Sequence, residues 1–335
     1  MLCAGGCSLL KGADIVDNDV LQIAEKLGIS PQRLYTASNN IKPRNRRDGS
    51  KYENYHTVVI HRGRGRKNRV LSVPNGFLKM VQRRILDKYL YNLDVSVFST
   101  AYRKGSSLLG NAAPHVGKEC ILKLDISHFF DSINDDMVYL AFKRLGLSVP
   151  ATTLLAHICT YKCSLPQGAP TSPYIANLVM KQFDERLGKW CGERGIAYTR
   201  YCDDMTFSGD RSAMRNSHII CKVKLMLYRM GFELNAKKTV FVSSSQQQRV
   251  TGIVVNDKPA LSREQRRTIR QEVYYCTKFG TAESLQHCGL DIAPDVYLRS
   301  LLGRISFALQ IEPDCSEMQS YFETVKKLYN DECRQ

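Results

Sequence analysis

With 335 residues, 43% of them hydrophobic and aromatics spread throughout, the chain has the material for a sizeable core. That excludes a disordered chain and sets a prior of two to three domains or one large one. Lys and Arg number 48 against 32 Asp and Glu, a formal net charge of +16; such an excess favours a polyanionic partner, nucleic acid ahead of an anionic membrane, because each cation placed near a phosphate releases a counterion.

No apolar run approaches the ~20 residues that a membrane span needs, and neither end carries a basic amphipathic anchor, so no membrane partner is expected. The 12 cysteines form no CxxC pair. Cys3/Cys7 and Cys159/Cys163 lack histidines at zinc-finger spacing, so free, mostly buried thiols in a reducing cytoplasm fit best. The opening "MLCAGGCSLL" lacks a basic start and a long enough apolar stretch for lipoprotein processing.

Residues 14–38 predict two short helices broken at Gly28, with Ser30 as a cap and Pro31 at the first helical position. They resemble a DNA-reading pair, but the second is short with one arginine, Arg33, and packing on the main body is the expectation. Between 42 and 69 lie ten Lys and Arg residues against Asp48 and Glu53 alone. Two strands, 55–61 and 68–73, join there through a basic, glycine-containing turn, and Pro74 ends the second. Residues 76–92 space Leu78, Val81, Ile85, Leu86 and Leu90 for a helix, with Lys79, Arg83 and Arg84 outward.

The centre alternates: a nearly continuous apolar strand at 120–126, helices at 135–146 and 170–191, a hairpin at 196–208 turning at Asp203-Asp204, a helix at 214–231, and strands at 239–243 and 248–256. This mixture implies an α+β layer with a largely antiparallel sheet. Past 260, Ser262 and Gln265 form a capping box. Arg263, Arg266, Arg267 and Arg270 then line one helix face, and Ile269, Val273 and Cys276 another. With helices at 295–310 and 316–330 this makes a small helical domain with a phosphate-facing edge.

Paired aspartates in a hairpin are common, since Asp tolerates positive φ. Asp125 changes the reading, because a carboxylate ending a buried strand is costly unless paired, capped or bound to metal. "LPQGAPTSP" (165–173) is a proline-pinned glycine loop able to lie against a flat ligand. Aspartates on neighbouring strands can converge on two divalent cations about 4 Å apart, and oxygen-only ligands favour magnesium. An acidic cluster among phosphates in a basic protein is what nucleotidyl transfer needs.

Tyr201-Cys202-Asp203-Asp204 resembles the YxDD box of reverse transcriptases. "LKLDISHFFDSI" resembles their first carboxylate motif, "LPQGAPTSP" their nucleotide-site loop, and "GFELNAKKT" (231–239) the lysine-bearing motif that follows. The resemblance covers roughly residues 55–310. "NAAPH" (111–115) and "VTG" (250–252) match two signatures of bacterial retron reverse transcriptases. The resemblance implies a right-hand polymerase: an N-terminal helical segment (1–50), fingers (51–118 with part of 134–170), palm (119–258) and helical thumb (259–335).

It further implies RNA-directed DNA synthesis from dNTPs with two Mg2+ ions. Asp125, Asp203 and Asp204 would be the metal ligands, with the Ile126 carbonyl as an extra one. Phe130 would be the steric gate against ribose, Lys67 and Arg69 the triphosphate clamp, and Gln167 a brace for nucleotide or template. Lys237 or Lys238 would protonate the leaving pyrophosphate. Asn111, His115, Thr251 and Gly252 would contact RNA or primer, and Arg263, Arg266, Arg267 and Arg270 would follow the duplex. The partners implied are a structured non-coding RNA, its branched DNA product and an accessory effector protein in anti-phage defence. An intron-derived or CRISPR-associated reverse transcriptase, or a nucleoprotein scaffold restraining an effector, are the alternatives.

Overall fold

The computed structural model describes residues 17–39, 44–45, 51–61 and 68–334. Helix α1 (Asn18–Leu27) begins where the Asp17 carboxylate accepts the N–H groups of Asp19 and Val20, and stops at Gly28, whose φ is 63°. Helix α2 (Pro31–Ser38) has its proline in the first turn, although the Ser30 side chain makes no capping bond. Val20, Ile23, Leu27 and Leu34 are buried in the main core, so the two helices are a packing unit.

Strands β1 (Arg44–Asn45) and β2 (Lys51–Tyr52) pair with each other. A longer antiparallel hairpin follows, β3 (Tyr55–Ile60) with β4 (Arg69–Pro74). Helix α3 (Gly76–Lys88), capped by the Asn75 side chain, buries Leu78, Val81 and Ile85. A short α4 (Leu108–Ala112) precedes the central strand β5 (Cys120–Ser127).

Helices α5 (Asp135–Lys143), α6 (Val149–Cys159) and α7 (Ser172–Gly192) come next. The sequence reading assigns nothing to 149–159. Helix α6 is buried around most of its circumference, so it shows no one-sided stripe. Strands β6 (Ala197–Tyr201) and β7 (Asp204–Gly209) form the expected hairpin. The single helix expected over 214–231 is instead α8 (Arg211–Asn216) and α9 (Ile219–Tyr228), because His218 adopts φ 50° after the poor helix formers Asn216 and Ser217.

Strands β8 (Glu233–Leu234) and β9 (Val240–Ser243) both pair with β5, giving a five-stranded sheet ordered β6-β7-β5-β8 with β9 also on β5, antiparallel throughout. The strand expected over 248–256 is a tight hairpin, β10 (Arg249–Val250) with β11 (Ile253–Val254). Its turn residues Thr251 and Gly252 have φ 47° and 88°, the positive pair that a type I′ turn requires.

Helices α10 (Arg263–Phe279), α11 (Thr281–Cys288), α12 (Pro294–Ile311) and α13 (Ser316–Glu332) close the chain. The Ser262–Gln265 capping box forms in both directions. Helix α11 is short and was not read from sequence.

Strand pleating gives the sheet two unlike faces. Leu122, Leu124, Ile126, Met205 and Phe207 belong to the core shared with residues of α5, α7 and α9. Ile121, one residue out of step, joins a second core with Val250, Ile253 and the α10–α13 bundle. Asp125, four residues beyond Ile121, lies on this second face at its open end. Among the described residues the cysteines are free thiols, and no helix is long and apolar enough to cross a membrane.

Candidate active site

The apolar run of β5 positions its last acidic residue. Pairing β5 with β7 sets Asp125 directly opposite Asp204. The β6–β7 turn consists of Cys202 and Asp203 rather than Asp203 and Asp204, since Tyr201 pairs with Asp204 and Cys202 takes the positive φ of 60°. Asp204 is therefore a strand residue held in register, and Asp203 sits in the turn beside it. The Ile126 N–H donates to the Asp203 carbonyl at 3.1 Å, tying strand end to turn. The Ile126 side chain is buried, leaving only its backbone for any ligand.

Burial, then the Asp203 and Asp125 charges, push Asp204 up to about 6, against the opposing pull of Lys238. Lys238, in a short turn at Ala236–Lys238, donates from Nζ to Asp125 Oδ2 at 2.6 Å. That bond holds its ammonium above the ordinary lysine value. Among the described residues Lys237 makes no such contact with Asp125. Lys123 shares the carboxylate face two residues before Asp125; burial lowers its pKa and the Asp204 charge works against that. The period of two was the signal for it.

Beneath the turn lies a network that sequence reasoning missed. Arg200 and Asp184 of α7 both have 0% side-chain exposure. Arg200 donates from Nε and Nη2 to the two Asp184 oxygens at 2.8 and 2.6 Å, and from Nη1 to the Cys202 carbonyl at 2.8 Å. Tyr198 also donates to Asp184, at 2.8 Å, and Asn177 accepts from Arg200 at 3.3 Å. Burial opposes the Arg200 charge, but the Asp184 carboxylate outweighs it and holds the guanidinium above its ordinary value. The carboxylate turn is thus bolted to α7 through one side chain. A signal existed: Asn177 and Asp184 sit seven residues apart, two turns, on the apolar face of α7.

The glycine loop packs on the β3–β4 hairpin. Gln167 accepts from Arg69 Nε at 3.1 Å through its side chain and from the Ser72 N–H at 2.8 Å through its carbonyl. Gly168 has φ 123°, and a Cβ there would lie 3.0 Å from the Ser72 carbonyl oxygen, so both conformation and space require glycine. Lys67 lies outside the described residues. Phe129 and Phe130 are 3% and 8% exposed; both belong to the core, with Phe130 keeping slightly more open surface.

The two signature motifs correct an expectation. Asn111 and His115 are 1% and 0% exposed, so neither presents its side chain to RNA. Asn111 accepts from Thr100 Oγ1 at 2.6 Å and donates to Thr251 Oγ1 at 3.3 Å. His115 bridges Ser208 and Thr199 of the sheet at 2.7 and 2.8 Å, and burial, with Lys118 and Lys123 nearby, pushes it down to about 4. The motifs form one internal brace between sheet and β10–β11 hairpin. Thr251, β-branched at positive φ, is tied to Leu108 and Asn111; Gly252 is exposed.

The arginine stripe also divides. Arg266 is bidentate on Glu312 and bonds Glu317, and Arg270 bonds Glu317. These two fasten α10 to the end of α12 and the start of α13 instead of facing phosphate, because the acids lie on the elements packed against them. Arg263 and Arg267 are exposed and form no ion pair among the described residues.

A divalent ion suits this donor set. Two carboxylates face each other across the ladder and repel, and a lysine ammonium already neutralises one of them. Among the described residues no three acidic, histidine or cysteine side chains form a closed cage. A partial set is what magnesium uses where substrate phosphates complete the shell.

Residues 62–255 match the family model "Reverse transcriptase (RNA-dependent DNA polymerase)". Retron Ec86 reverse transcriptase of Escherichia coli is 34% identical over 68% of this chain and 72% of its own. Retron Ec83 reverse transcriptase, also of Escherichia coli, is 31% identical over 78% and 83%. The chain belongs to the retron reverse transcriptases. The reverse transcriptase is an RNA-directed DNA polymerase with a right-hand polymerase fold, and the motif pairs 111–115 and 250–252 are part of its framework. Telomerase from Candida tropicalis is similar with a TM-score of 0.47 at 12% identity, over 84% of this chain and 56% of that one.

Proposed function

We propose that this enzyme copies a structured non-coding RNA encoded beside its gene, starting from the 2′-hydroxyl of a guanosine and leaving a branched RNA–DNA product. The register of β5 against β7, which sets Asp125 opposite Asp204 beside the Asp203 turn, carries the chemistry. The attacking hydroxyl oxygen bonds the α-phosphorus of a dNTP, the bond to the β-phosphate breaks, and pyrophosphate leaves.

Asp125, Asp203 and Asp204 would hold two Mg2+ ions, with the Ile126 carbonyl as a further oxygen. When bound, the ions lower the pKa of the attacking hydroxyl and neutralise the leaving pyrophosphate. Lys238, kept protonated by Asp125, delivers a proton to the leaving group. Arg69 and Gln167 act as one nucleotide-facing unit because they are bonded to each other, and Lys67 belongs with them. Phe130 excludes the ribose hydroxyl. Residues 51–118, with part of 134–170, form the fingers, the rest of 119–258 the palm and 259–335 the thumb. Exposed Arg263 and Arg267 track the duplex, and Gly252 offers close approach to a backbone.

The enzyme works in the cytoplasm, within an anti-phage system that includes an effector protein. The test is the nucleic acid that copurifies when the enzyme is expressed with its neighbouring RNA region. Branched DNA, absent in Asp203→Asn and in cells lacking the RNA, is expected. DNA that persists in Asp203→Asn, or that is linear and unlinked to RNA, would overturn the reading.

A further inference from the structure

A groove of about 930 Å3 runs between α5, α7 and α9. It lies on the helical side of the sheet, away from the face that carries Asp125. Its floor is apolar and methionine-rich: Met137, Leu140, Val179, Met226 and Met230, with Trp190 at one side. Leu140 is 58% exposed, so its side chain is open to a partner at the edge of this apolar trough. Arg144, Arg186, Lys189, Lys222 and Arg229 form the rim.

None of these five cations forms an ion pair with a described residue. Glu193 is the one acid in the lining, and it pairs with Arg194 at 3.6 Å. The groove therefore combines an unfilled apolar floor with uncompensated positive edges.

We propose that this groove docks an acidic amphipathic helix of a partner protein. Such a helix lays apolar side chains at i, i+3, i+4 and i+7 on the floor, and its flanking carboxylates meet the rim. Methionines suit the floor because their unbranched side chains repack around an incoming surface. A nucleic acid fits less well. The Trp190 ring has the Arg194 guanidinium 4.5 Å and the Lys222 ammonium 5.8 Å from its centroid, so it offers no free platform for a base. The other aromatic in the lining, Phe183, is buried, and phosphates gain nothing from an apolar floor. The site stands independently of RNA-primed synthesis and faces away from the carboxylates, so occupancy and polymerisation are compatible.

The probe is a fluorescein-labelled peptide of about 18 residues, five helical turns, with leucine at i, i+3, i+4 and i+7 and glutamate on both flanks. Controls carry lysine flanks or serine in place of leucine, and a fourth probe is single-stranded RNA. Anisotropy is read with the full chain, and primer extension on a generic RNA template is run in parallel. The acidic peptide is expected to bind and both control peptides to fail. Affinity should fall about tenfold or more in Arg186→Glu/Arg229→Glu and, separately, in Leu140→Asp, with primer extension unchanged. Those three side chains are exposed, and melting curves at wild-type values would exclude misfolding. Absence of peptide binding, binding indifferent to both variants, or RNA displacing the peptide from the wild type would each overturn the proposal.

Discussion

Replacing Arg200 with methionine removes one half of a fully buried ion pair. The Asp184 carboxylate, with 0% side-chain exposure, would keep only the Tyr198 hydroxyl donor. Breaking a buried pair from one side costs about 3–5 kcal/mol, and the bond lost to the Cys202 carbonyl adds about 1 kcal/mol. Together these reach roughly 4–6 kcal/mol of a total stability of about 5–15 kcal/mol. At roughly 2–4 °C per kcal/mol, the melting temperature should fall by about 10–20 °C. The double variant Arg200→Met/Asp184→Leu puts apolar groups in both places, which is often neutral for stability. It should recover most of the loss and melt a few degrees below wild type, by about what the unpaired Cys202 carbonyl and Tyr198 hydroxyl cost. It still lacks a donor for Cys202, so the carboxylate turn loses its anchor. Displacement of a catalytic group by ~1 Å costs on the order of 100-fold, and kcat for primer extension should drop by about that much while folding is restored. Differential scanning calorimetry and single-nucleotide incorporation measure the two effects separately. If Arg200→Met melts like wild type, or if the double variant recovers full kcat, the side chain does not position the turn.

Lys238→Met should lower kcat by about 100-fold with little change in dNTP KM, whereas Lys237→Met should leave kcat near wild type; burst kinetics distinguish them. Gly168→Ala meets both the positive φ and the Ser72 carbonyl, a strain of about 1–3 kcal/mol, and should raise dNTP KM in steady-state incorporation. His115 is held down at about 4 from 6.5, so the unfolded chain binds a proton that the folded chain refuses as pH falls through that window. This group should cost about 2 kcal/mol of stability between pH 7.5 and pH 5. His115→Gln should show a flatter pH dependence in urea melts, starting from a lower stability. Arg266→Met should lower the melting temperature without changing the salt dependence of template-primer binding. Arg263→Gln and Arg267→Gln should do the reverse, each reducing the log–log salt slope by about 1.

Local patterns in the sequence determined much of the chemistry. A strand too apolar to end in an uncompensated aspartate, a glycine loop pinned by prolines and an acidic pair in a hairpin singled out Asp125, Asp203 and Asp204 as candidates. The capping box at Ser262 was legible for the same reason, since its partners lie within one turn. Long-range pairing was decided by the tertiary structure. Arg200 and Asp184 are 16 residues apart, and Asn111 and Thr251 are 140 apart; nothing local to either member shows that it will be sealed against the other. Arg266 and Arg270 read as a phosphate-facing stripe because a helix shows its own spacing but not the acids that Glu312 and Glu317 bring from elsewhere in the fold. A charged side chain is free or spent according to what packs against it, and that is settled only when the chain closes on itself.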